Sequence, residues 1–520
     1  RSHFSGGGTL HFRHVLIQQS AYRSVPKELR AELHEHFAGW LGTKTGETIT
    51  EVEEVVGYHL EQAFRNRADL GRVAEREREL ARRAAEHLAS AGRRAFDRGD
   101  MPASVNLLAR AASLLPLADG ARLELLPNLA FASFEIGELD RASALLAEAV
   151  EQARASGDRR TEWRAVVQRA QFAIYAHPGQ VDQGRLSRDA EQAIQVLGRL
   201  DDDLGLARAW SLLSDLRFTM GEVAGAMDAA ERAGGYARRA GSRREEAWNL
   251  GAYAYSLVPG PTPVVEGIRR LEQFIREAAG NMVVEANLGG FLANLEAMDG
   301  RNDAARERSA RSRALTHDQG LRHSTGFHHQ LVGRIELLAG DPVAAERDMR
   351  AAFETFRETG DKWDQAIVAT ELLQAVYEQE RYEDAFELLA ELDDLPADSS
   401  PTPQIKRRDV LARLLARRGE ISEAEALARE AVAIAARTDL LNYHGDALMG
   451  LAEVLRLDGR PQEAIGALGE ALRLYERKGN VVLAGKARAL LTELSDEPGA
   501  ARGQGRAEPT RGRRVASPPR

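Results

Sequence analysis

The sequence predicts an all-α protein in which helical hairpins follow one another to form a superhelix. Two observations predict this fold. Glycine turns return along most of the chain at intervals of 38–42 residues, and alanine and leucine residues follow the turns at the spacing of one helix face. The length agrees, because 520 residues are too many for a single hydrophobic core and favour several domains or an extended array.

The strongest turns share a glycine, usually followed by a charged residue, and an alanine or serine five residues after the glycine. They lie at Gly99, Gly137, Gly221, Gly300, Gly340, Gly419 and Gly459, and weaker turns lie at Gly179, Gly260 and Glu380. Glycine is expected where the first helix of a hairpin ends, because it adopts the left-handed conformation without a Cβ penalty. An acidic residue directly after it lies near the start of the second helix, where the helix dipole favours negative charge.

The turns predict about ten hairpins over residues 81–494, closed by a capping helix at 481–494. The units around Gly179 and around residues 259–261 are irregular, and we expect them to kink the superhelix. The Arg-Gly-Asp tripeptide at 98–100 has the sequence of a cell-adhesion motif. Its position in the repeat predicts a hairpin turn instead.

Composition excludes several functional classes. The net charge of −9 argues against a nucleic-acid-binding surface along the whole chain. The absence of cysteine excludes disulfides, thiolate zinc sites and a cysteine nucleophile, and it fits a reducing cytoplasm. No apolar run of about 18 residues predicts a membrane span, so we expect no membrane partner.

The repeat resembles a known family. A glycine turn, an alanine five residues later and further small residues at helical spacing resemble the tetratricopeptide repeat. Trp210, sixteen residues before Ala226, lies where that family places an aromatic residue. The period exceeds the roughly 34 residues of that repeat and falls within the range of HEAT and armadillo units, but the register from turn to alanine favours a tetratricopeptide-like array.

The first eighty residues differ from the array. Apolar residues alternate from Leu10 to Ile17, which predicts a short strand, and a helix is predicted after Pro26. This segment resembles the end of the winged-helix domain in bacterial signal-transduction ATPases. The resemblance rests on these short stretches: Phe12-Arg13-His14, Leu16-Ile17, Ala21-Tyr22, Pro26-Lys27, Arg30 to His34, and Trp40-Leu41. In addition, Gly57 to Ala63 match the helix that leads such proteins into their repeats.

The overall organisation resembles adenylate/guanylate-cyclase-linked ATPases and large ATP-dependent transcriptional activators with tetratricopeptide-like C-terminal halves. The resemblance implies four regions, namely the end of a winged-helix domain at 1–41, linker helices at 42–80, the repeat array at 81–494 and a disordered basic tail at 495–520. Because the chain begins with Arg1, we expect it to be a piece of a longer protein. The tail could make a weak contact with nucleic acid or an acidic partner.

No nucleotide site is predicted within this chain. Residues 42–46 have the residue types of a phosphate loop in the wrong order, and Gly485-Lys486 lacks the preceding glycine. We therefore expect no cofactor and no catalysis here, and we expect ATP only in an upstream ATPase or cyclase module.

A metal site was weighed at His323, His328 and His329. Neighbouring His328 and His329 point about 100° apart on a helix, and the local sequence holds no acidic pair to complete a site, so none is predicted. The tryptophans near the starts of first helices are interpreted as hairpin core rather than as ligand platforms. These are Trp163, Trp210, Trp248 and Trp363.

The candidate binding surface is the concave groove lined by the first helices. The register places one polar residue there, eleven positions before each key alanine or serine. These residues are Arg93, Asp215, Asn294, Arg334, Arg413 and Glu453. They predict a scaffold that grips a protein segment or a small effector and regulates the upstream module, with the arginines binding an acidic partner. The alternative is the effector-binding half of an ATP-dependent, DNA-binding transcriptional regulator. That alternative is weakened because no basic recognition helix is visible.

Overall fold

The computed structural model describes residues 15–45, 49–71, 74–278, 282–317, 322–392, 395–396 and 400–496, which contain twenty-four α-helices and no strand. The first nine helices, in chain order, are α1 Val15–Ser24, α2 Lys27–Thr45, α3 Ile49–Ala68, α4 Glu75–Asp97, α5 Met101–Ser113, α6 Gly120–Glu135, α7 Leu139–Ser156, α8 Arg159–Ala176 and α9 Gln183–Arg199. None of the described helices is both long and apolar enough to cross a membrane.

The remaining helices continue the same alternation. They are α10 Asp203–Thr219, α11 Val223–Arg239, α12 Arg243–Leu257, α13 Val264–Glu277, α14 Met282–Met298, α15 Asn302–His317, α16 Arg322–Ala339, α17 Pro342–Thr359, α18 Lys362–Tyr377, α19 Tyr382–Glu391, α20 Pro401–Arg417, α21 Ile421–Ala435, α22 Leu441–Leu457, α23 Pro461–Lys478 and α24 Val481–Asp496.

From α4 onward the helices form ten hairpins and a final unpaired helix, which confirms the predicted tetratricopeptide-like fold. Each of the seven strong turn glycines has a positive φ, between 72° and 88°. Glu380, at a weaker turn, has a φ of 61° and is one of two described non-glycine residues with positive φ. The key alanines that follow the turns are fully buried, as the close packing of paired helices requires.

The tripeptide at 98–100 is a hairpin turn, as predicted. Gly99 has a φ of 84°, and the Asp100 carboxylate accepts a hydrogen bond of 3.1 Å from the backbone N–H of Ala103. Asp100 is therefore the N-cap of α5, a role that explains an aspartate at this position without any adhesion partner.

The predicted strand is wrong where the structure describes it. Val15 to Ile17 begin α1 and are exposed, and Leu10 to His14 lie outside the described residues. A short alternating segment can form a strand only if a neighbouring strand accepts its backbone hydrogen bonds, and the described chain offers none. A helix satisfies the hydrogen bonds of these backbone groups internally.

The winged-helix assignment of 1–41 stays a prediction, and residues 497–520 of the tail lie outside the described residues.

Successive turns of the superhelix pack against each other. Helix α6 contacts α16, α8 contacts α18, and α14 contacts α24, so elements ten helices apart meet. One superhelical turn therefore contains five hairpins. At this seam, the backbone N–H of Asp439 donates to the carbonyl of Gly221 at 3.2 Å, and the Asp439 carboxylate accepts from the N–H groups of Val223 and Ala224 at 2.6 and 2.8 Å.

The irregular unit at 259–261 is the second anchor of the seam. Helix α12 ends at Leu257 and α13 begins at Val264, and the loop between them replaces the usual glycine turn. The ammonium group of Lys478 donates to the carbonyls of Leu257, Gly260 and Thr262 at 2.5, 2.8 and 2.7 Å. The irregular loop is therefore held by a side chain from the next superhelical turn. The other irregular unit, around Gly179, is a single 3-10 turn at Pro178–Gln180.

Candidate functional site

Two cavities lie on the inner face of the superhelix, where the first helices of successive hairpins converge. The aromatic cavity has a volume of about 120 Å³, and its lining includes Tyr175, Asp215, Phe218, Trp248, Tyr255, Phe291, His323, Phe327 and Trp363. The charged cavity has a volume of about 770 Å³, and its lining includes Arg334, Glu371, Tyr377, Lys406, Asp409, Arg413, Arg417, Tyr443, Asp446, Glu453, Arg456 and Lys486.

Five of the six residues predicted to face the groove line these cavities. Asp215 lines the aromatic cavity, whereas Asn294, Arg334, Arg413 and Glu453 line the charged cavity. The Asn294 side chain donates to the backbone carbonyls of Gly290 and Leu331.

The sixth predicted residue lies elsewhere. Arg93 is exposed on α4 and lines neither cavity. The cavities occupy the stretch from α8 onward, and α4 belongs to the first hairpin, before that stretch. The register therefore identified one position that the first helices share. Whether the residue at that position lines a cavity depends on where its hairpin lies in the superhelix. Partner binding by these residues stays a prediction.

Arg334 has an internal partner. Its Nε donates to Oε1 of buried Glu371 at 3.0 Å, and the Nζ of Lys406 lies 3.3 Å from the same oxygen. Gln330 donates to the other oxygen at 3.0 Å. Burial opposes ionisation of Glu371, but Arg334 and Lys406 outweigh it and hold the pKa of Glu371 below its ordinary value. This side of the cavity is a network of fixed charges.

A second network surrounds Glu453. The Nε of Arg413 donates to Oε2 of Glu453 at 2.8 Å, and Arg417 and Tyr377 each donate to Oε1 at 2.6 Å. The Arg413 guanidinium lies 4.0 Å from the centroid of the Tyr377 ring. Burial acts against the charge of Glu453, yet Arg413 and these hydrogen bonds lower its pKa to about 2. The carboxylate thus holds two guanidinium groups in fixed orientations.

Other groups of the charged cavity lack such partners. Asp409 is buried, and burial raises its pKa to about 7 even though Arg413 lies 4.0 Å away. Its carboxyl group fits against Gly450, where a Cβ would lie 1.7 Å from Oδ1. Arg456 and Lys486 are exposed at the lining, and neither has an ion pair among the described residues. The cavity therefore offers paired charges and two cations open to a ligand.

The aromatic cavity has the opposite electrostatic character. Asp215 accepts hydrogen bonds from Gln171 at 2.7 Å and from the Tyr175 hydroxyl at 3.4 Å, and both donors are neutral. Burial raises the pKa of Asp215 to about 7. Trp248 and Trp363 line this cavity, so the interpretation of the tryptophans as hairpin core is incomplete for these two, whereas buried Trp163 is core.

His323 meets two acidic residues beside the aromatic cavity, which corrects the expectation that no acidic pair accompanies it. Its Nδ1 lies 3.5 Å from Oδ2 of Asp361, and Asp364 joins them, with one ligand-type atom from each residue within 4.8 Å of the others. All three are buried. Burial lowers the pKa of His323 to about 3 and raises the pKa values of Asp361 and Asp364.

The other two histidines considered at the sequence level have separate partners. His328 contacts the Ser312 hydroxyl at 2.9 Å, and His329 Nδ1 lies 3.0 Å from the carboxylate of Asp348. As predicted, His328 and His329 do not converge. Asp361 and Asp364 stand one repeat after His323, at the start of the first helix of the next hairpin. A search for acids one period away would have found them.

Comparisons with solved structures return helical proteins at low similarity. A Rap protein complexed with competence and sporulation factor is 12% identical, with 72% of this chain and 97% of that chain covered and a TM-score of 0.44. A human IFIT1 dimer with m7Gppp-AAAA is 15% identical, with 84% and 94% covered and a TM-score of 0.43. Yeast Tom70 is 13% identical, with 90% and 98% covered and a TM-score of 0.33. Identities this low say nothing about function. No known protein family and no curated protein matches the sequence.

Proposed function

We propose that the chain is a binding scaffold that holds a short peptide segment in its charged cavity. The observation that carries this proposal is the cavity itself, about 770 Å³ on the inner face of the array and lined by oriented charges and tyrosine rings. Its volume lies within the range of ligand sites, and fixed charges reduce the entropy lost on binding. A peptide supplies backbone amides, carbonyls and charged termini to such a surface.

The chemistry of the peptide follows from which charges are already paired. Arg334 and Arg413 bind Glu371 and Glu453 within the protein, so their charge is largely neutralised. Arg456 and Lys486 form no ion pair among the described residues, although Lys486 acts on the carboxyl of Asp446, and they are the lining cations that a ligand carboxylate can meet. The proposed ligand is therefore a peptide with a free or side-chain carboxylate, bound at the α22 and α24 side of the cavity.

The proposed link to an upstream module rests on the N-terminal helices. Helix α2 packs on α3, and α3 packs on α4 of the first hairpin, so a change in the array has a continuous path toward the N-terminus. The sequence resemblance at residues 9–63 supports a signal-transduction ATPase or cyclase as the module on that path. We expect the chain by itself to hydrolyse no ATP and to form no cyclic nucleotide.

The test uses a displayed library of random octapeptides, selected on the full chain, followed by calorimetric titration of the recovered peptides. We expect recovered sequences enriched in acidic residues or dependent on a free C-terminus. The double variant Arg456→Ser with Lys486→Ser should weaken binding by more than tenfold, because charge-assisted hydrogen bonds are worth about 1.5–3 kcal/mol each.

The control Arg473→Ser removes an exposed arginine of α23 that does not line the cavity. Selection of no peptide, or equal affinities for all three proteins with unchanged thermal melts, contradicts the proposal.

A further inference from the structure

The side chains of His323, Asp361 and Asp364 form a cluster that the proposed function does not use. His323 is the second residue of α16, Asp361 is the N-cap of α18, and Asp364 lies in the first turn of α18. All three side chains are buried, with relative exposures of 1%, 0% and 0%. Three ionisable groups without contact to solvent require a physical explanation.

The polar atoms of the cluster are largely unsatisfied. Among the described residues, no group outside the cluster forms a hydrogen bond with either ring nitrogen of His323, with Oδ2 of Asp361 or with either carboxyl oxygen of Asp364. At these atoms the carboxyl groups of Asp361 and Asp364 interact with each other and with His323. Oδ1 of Asp361 is occupied, because it caps α18 by accepting from the N–H of Asp364 at 2.9 Å. Five buried acceptor or donor atoms thus lie close together. Burying polar atoms without hydrogen-bond partners costs free energy unless a bound group supplies those interactions.

The surrounding charges do not satisfy the cluster. Arg334 acts on Asp364 without forming an ion pair with it and is itself paired with Glu371, while the carboxyl of Asp215 adds a further acid. Phe134, Tyr175 and the ring of Phe327 pack around His323 with centroid distances of 4.6, 6.1 and 5.1 Å. The site is therefore acidic and enclosed by aromatic rings, and in the part of the chain that the structure describes no arginine or lysine forms an ion pair with either aspartate.

The structure assigns this cluster as a binding site for one divalent transition-metal ion, with His323, Asp361 and Asp364 as its ligands. One nitrogen and two carboxylate oxygens lie within 4.8 Å of one another, so a small closure brings them around an ion with bonds of roughly 2.0–2.2 Å. An imidazole with two carboxylates suits Zn²⁺, Mn²⁺ or Fe²⁺ better than Mg²⁺ or Ca²⁺, which prefer oxygen-only ligands. His323 also lines the aromatic cavity, which can supply water to the remaining coordination positions.

The ion would act on the seam between superhelical turns. It joins α16 to α18, and these helices pack on α6 and α8 from the preceding turn. The proposal is independent of peptide binding in the charged cavity. A proton shared between Asp361 and Asp364 is the alternative way to reduce their repulsion, and metal binding would displace it.

The test is a calorimetric titration of the purified full chain with ZnCl₂ after dialysis against a chelator, with MgCl₂ titrated in parallel. We expect one Zn²⁺ per chain, release of protons that depends on the buffer, and a higher melting temperature with excess Zn²⁺. The variant Asp361→Asn with Asp364→Asn should lose at least a hundredfold in Zn²⁺ affinity. Asparagine retains the shape and also caps helices, so the fold of the variant should persist.

The matched control is Asp348→Asn, which removes a buried carboxylate facing His329 that belongs to no such cluster. Its Zn²⁺ affinity should equal that of the wild type. Absence of stoichiometric Zn²⁺ binding by the wild type overturns the proposal, as does binding that the double variant retains. If the double variant unfolds, anomalous diffraction from Zn²⁺-soaked wild-type crystals decides. An ion between the three side chains supports the site, and an ion found only elsewhere overturns it.

Discussion

Two carboxylates show how differently the two cavities treat the same chemical group. Glu371 in the charged cavity is buried, and Asp215 at the aromatic cavity is partly buried. The pKa of Glu371 is lowered, because Arg334 and Lys406 outweigh the effect of burial, whereas burial raises the pKa of Asp215 to about 7 because its hydrogen-bond donors are neutral. Nearby cations, rather than burial alone, therefore decide whether an inner-face acid carries charge.

The contrast also separates what each cavity can bind. The charged cavity compensates its main acids internally and leaves two lining cations open, so it suits an anionic group. At the aromatic cavity, Asp215 accepts hydrogen bonds only from neutral donors, and Asp361 and Asp364 form no ion pair with an arginine or lysine among the described residues, so this surface suits a cation. The inner face thus carries two surfaces of opposite preference.

The largest expected effect comes from removing the charge of Glu371. Glu371→Gln leaves the partly buried Arg334 and Lys406 without the buried carboxylate that they share, and breaking a buried pair in this way costs about 3–5 kcal/mol. Urea denaturation followed by circular dichroism should therefore show a large fall in midpoint. The control Glu463→Gln removes an exposed partner of Arg460 and should cost less than about 1 kcal/mol. Equal shifts for both variants would contradict the comparison.

The corresponding substitution at Asp215, from carboxylate to amide, should instead increase the stability of the protein. The folded pKa of about 7 lies above the ordinary aspartate value, so the unfolded chain releases its proton first and wild-type stability falls as pH rises from about 4 to 7. Asp215→Asn abolishes this dependence and keeps an oxygen for Gln171 and Tyr175. At pH 8 the variant should be more stable than the wild type by about 2–4 kcal/mol, at roughly 1.4 kcal/mol for each unit of pKa shift.

This prediction is checked by thermal and urea denaturation from pH 4 to pH 8 in the presence of a chelator. The gap between variant and wild type should be smallest at pH 4 and should widen toward pH 8. Asp140→Asn, at an exposed position of α7, is the control and should follow the wild-type profile. A gap that stays constant with pH would mean that Asp215 is ionised in the folded protein throughout.

The repeat could be predicted from sequence because its signal is local. A helical hairpin needs a residue with positive φ at its turn, and glycine supplies it at seven turns whose separations are close to one or two repeat lengths. The inner-face register was also local, because it counts positions within one hairpin. It placed Asp215, Asn294, Arg334, Arg413 and Glu453 on cavity walls.

The rest depended on contacts that have no local signature. Asp439 meets Gly221 only because five hairpins complete one superhelical turn, and no short motif encodes that number. The same closure brings Phe134 and Tyr175 onto His323. Considering each histidine with its neighbours in sequence therefore missed a cluster assembled from two consecutive repeats.

The smallest of the three effects should come from the seam, where the loop between α12 and α13 separates the two cavities. Tyr255 and Ser256, just before this loop, line the aromatic cavity, while Val258 and Pro259 line the charged one. Lys478 fixes the loop by donating all three ammonium hydrogens to its carbonyls. This loop is therefore one physical connection between the two cavities, beside the contact of the Arg334 guanidinium with the Tyr255 ring at 5.8 Å from its centroid.

Lys478→Met retains the length of the side chain but removes these three hydrogen bonds. The loss of these hydrogen bonds is partly offset because a buried charge disappears with them, so we expect a net cost of about 1–3 kcal/mol in stability.

Burial lowers the pKa of Lys478 to about 7, below its value in the unfolded chain, so wild-type stability rises as pH increases from 7 toward 10.5. The gap between wild type and variant should therefore widen from pH 7 to pH 9. Amide hydrogen exchange should quicken at residues 257–262 in the variant and stay unchanged in α2, which packs on α3 before the first hairpin. The Asn442 side chain also donates to the carbonyl of Val258 at 3.1 Å. Unchanged exchange in the loop would mean that Asp439 and Asn442 hold the seam without Lys478, and that the two cavities are separated by a rigid wall.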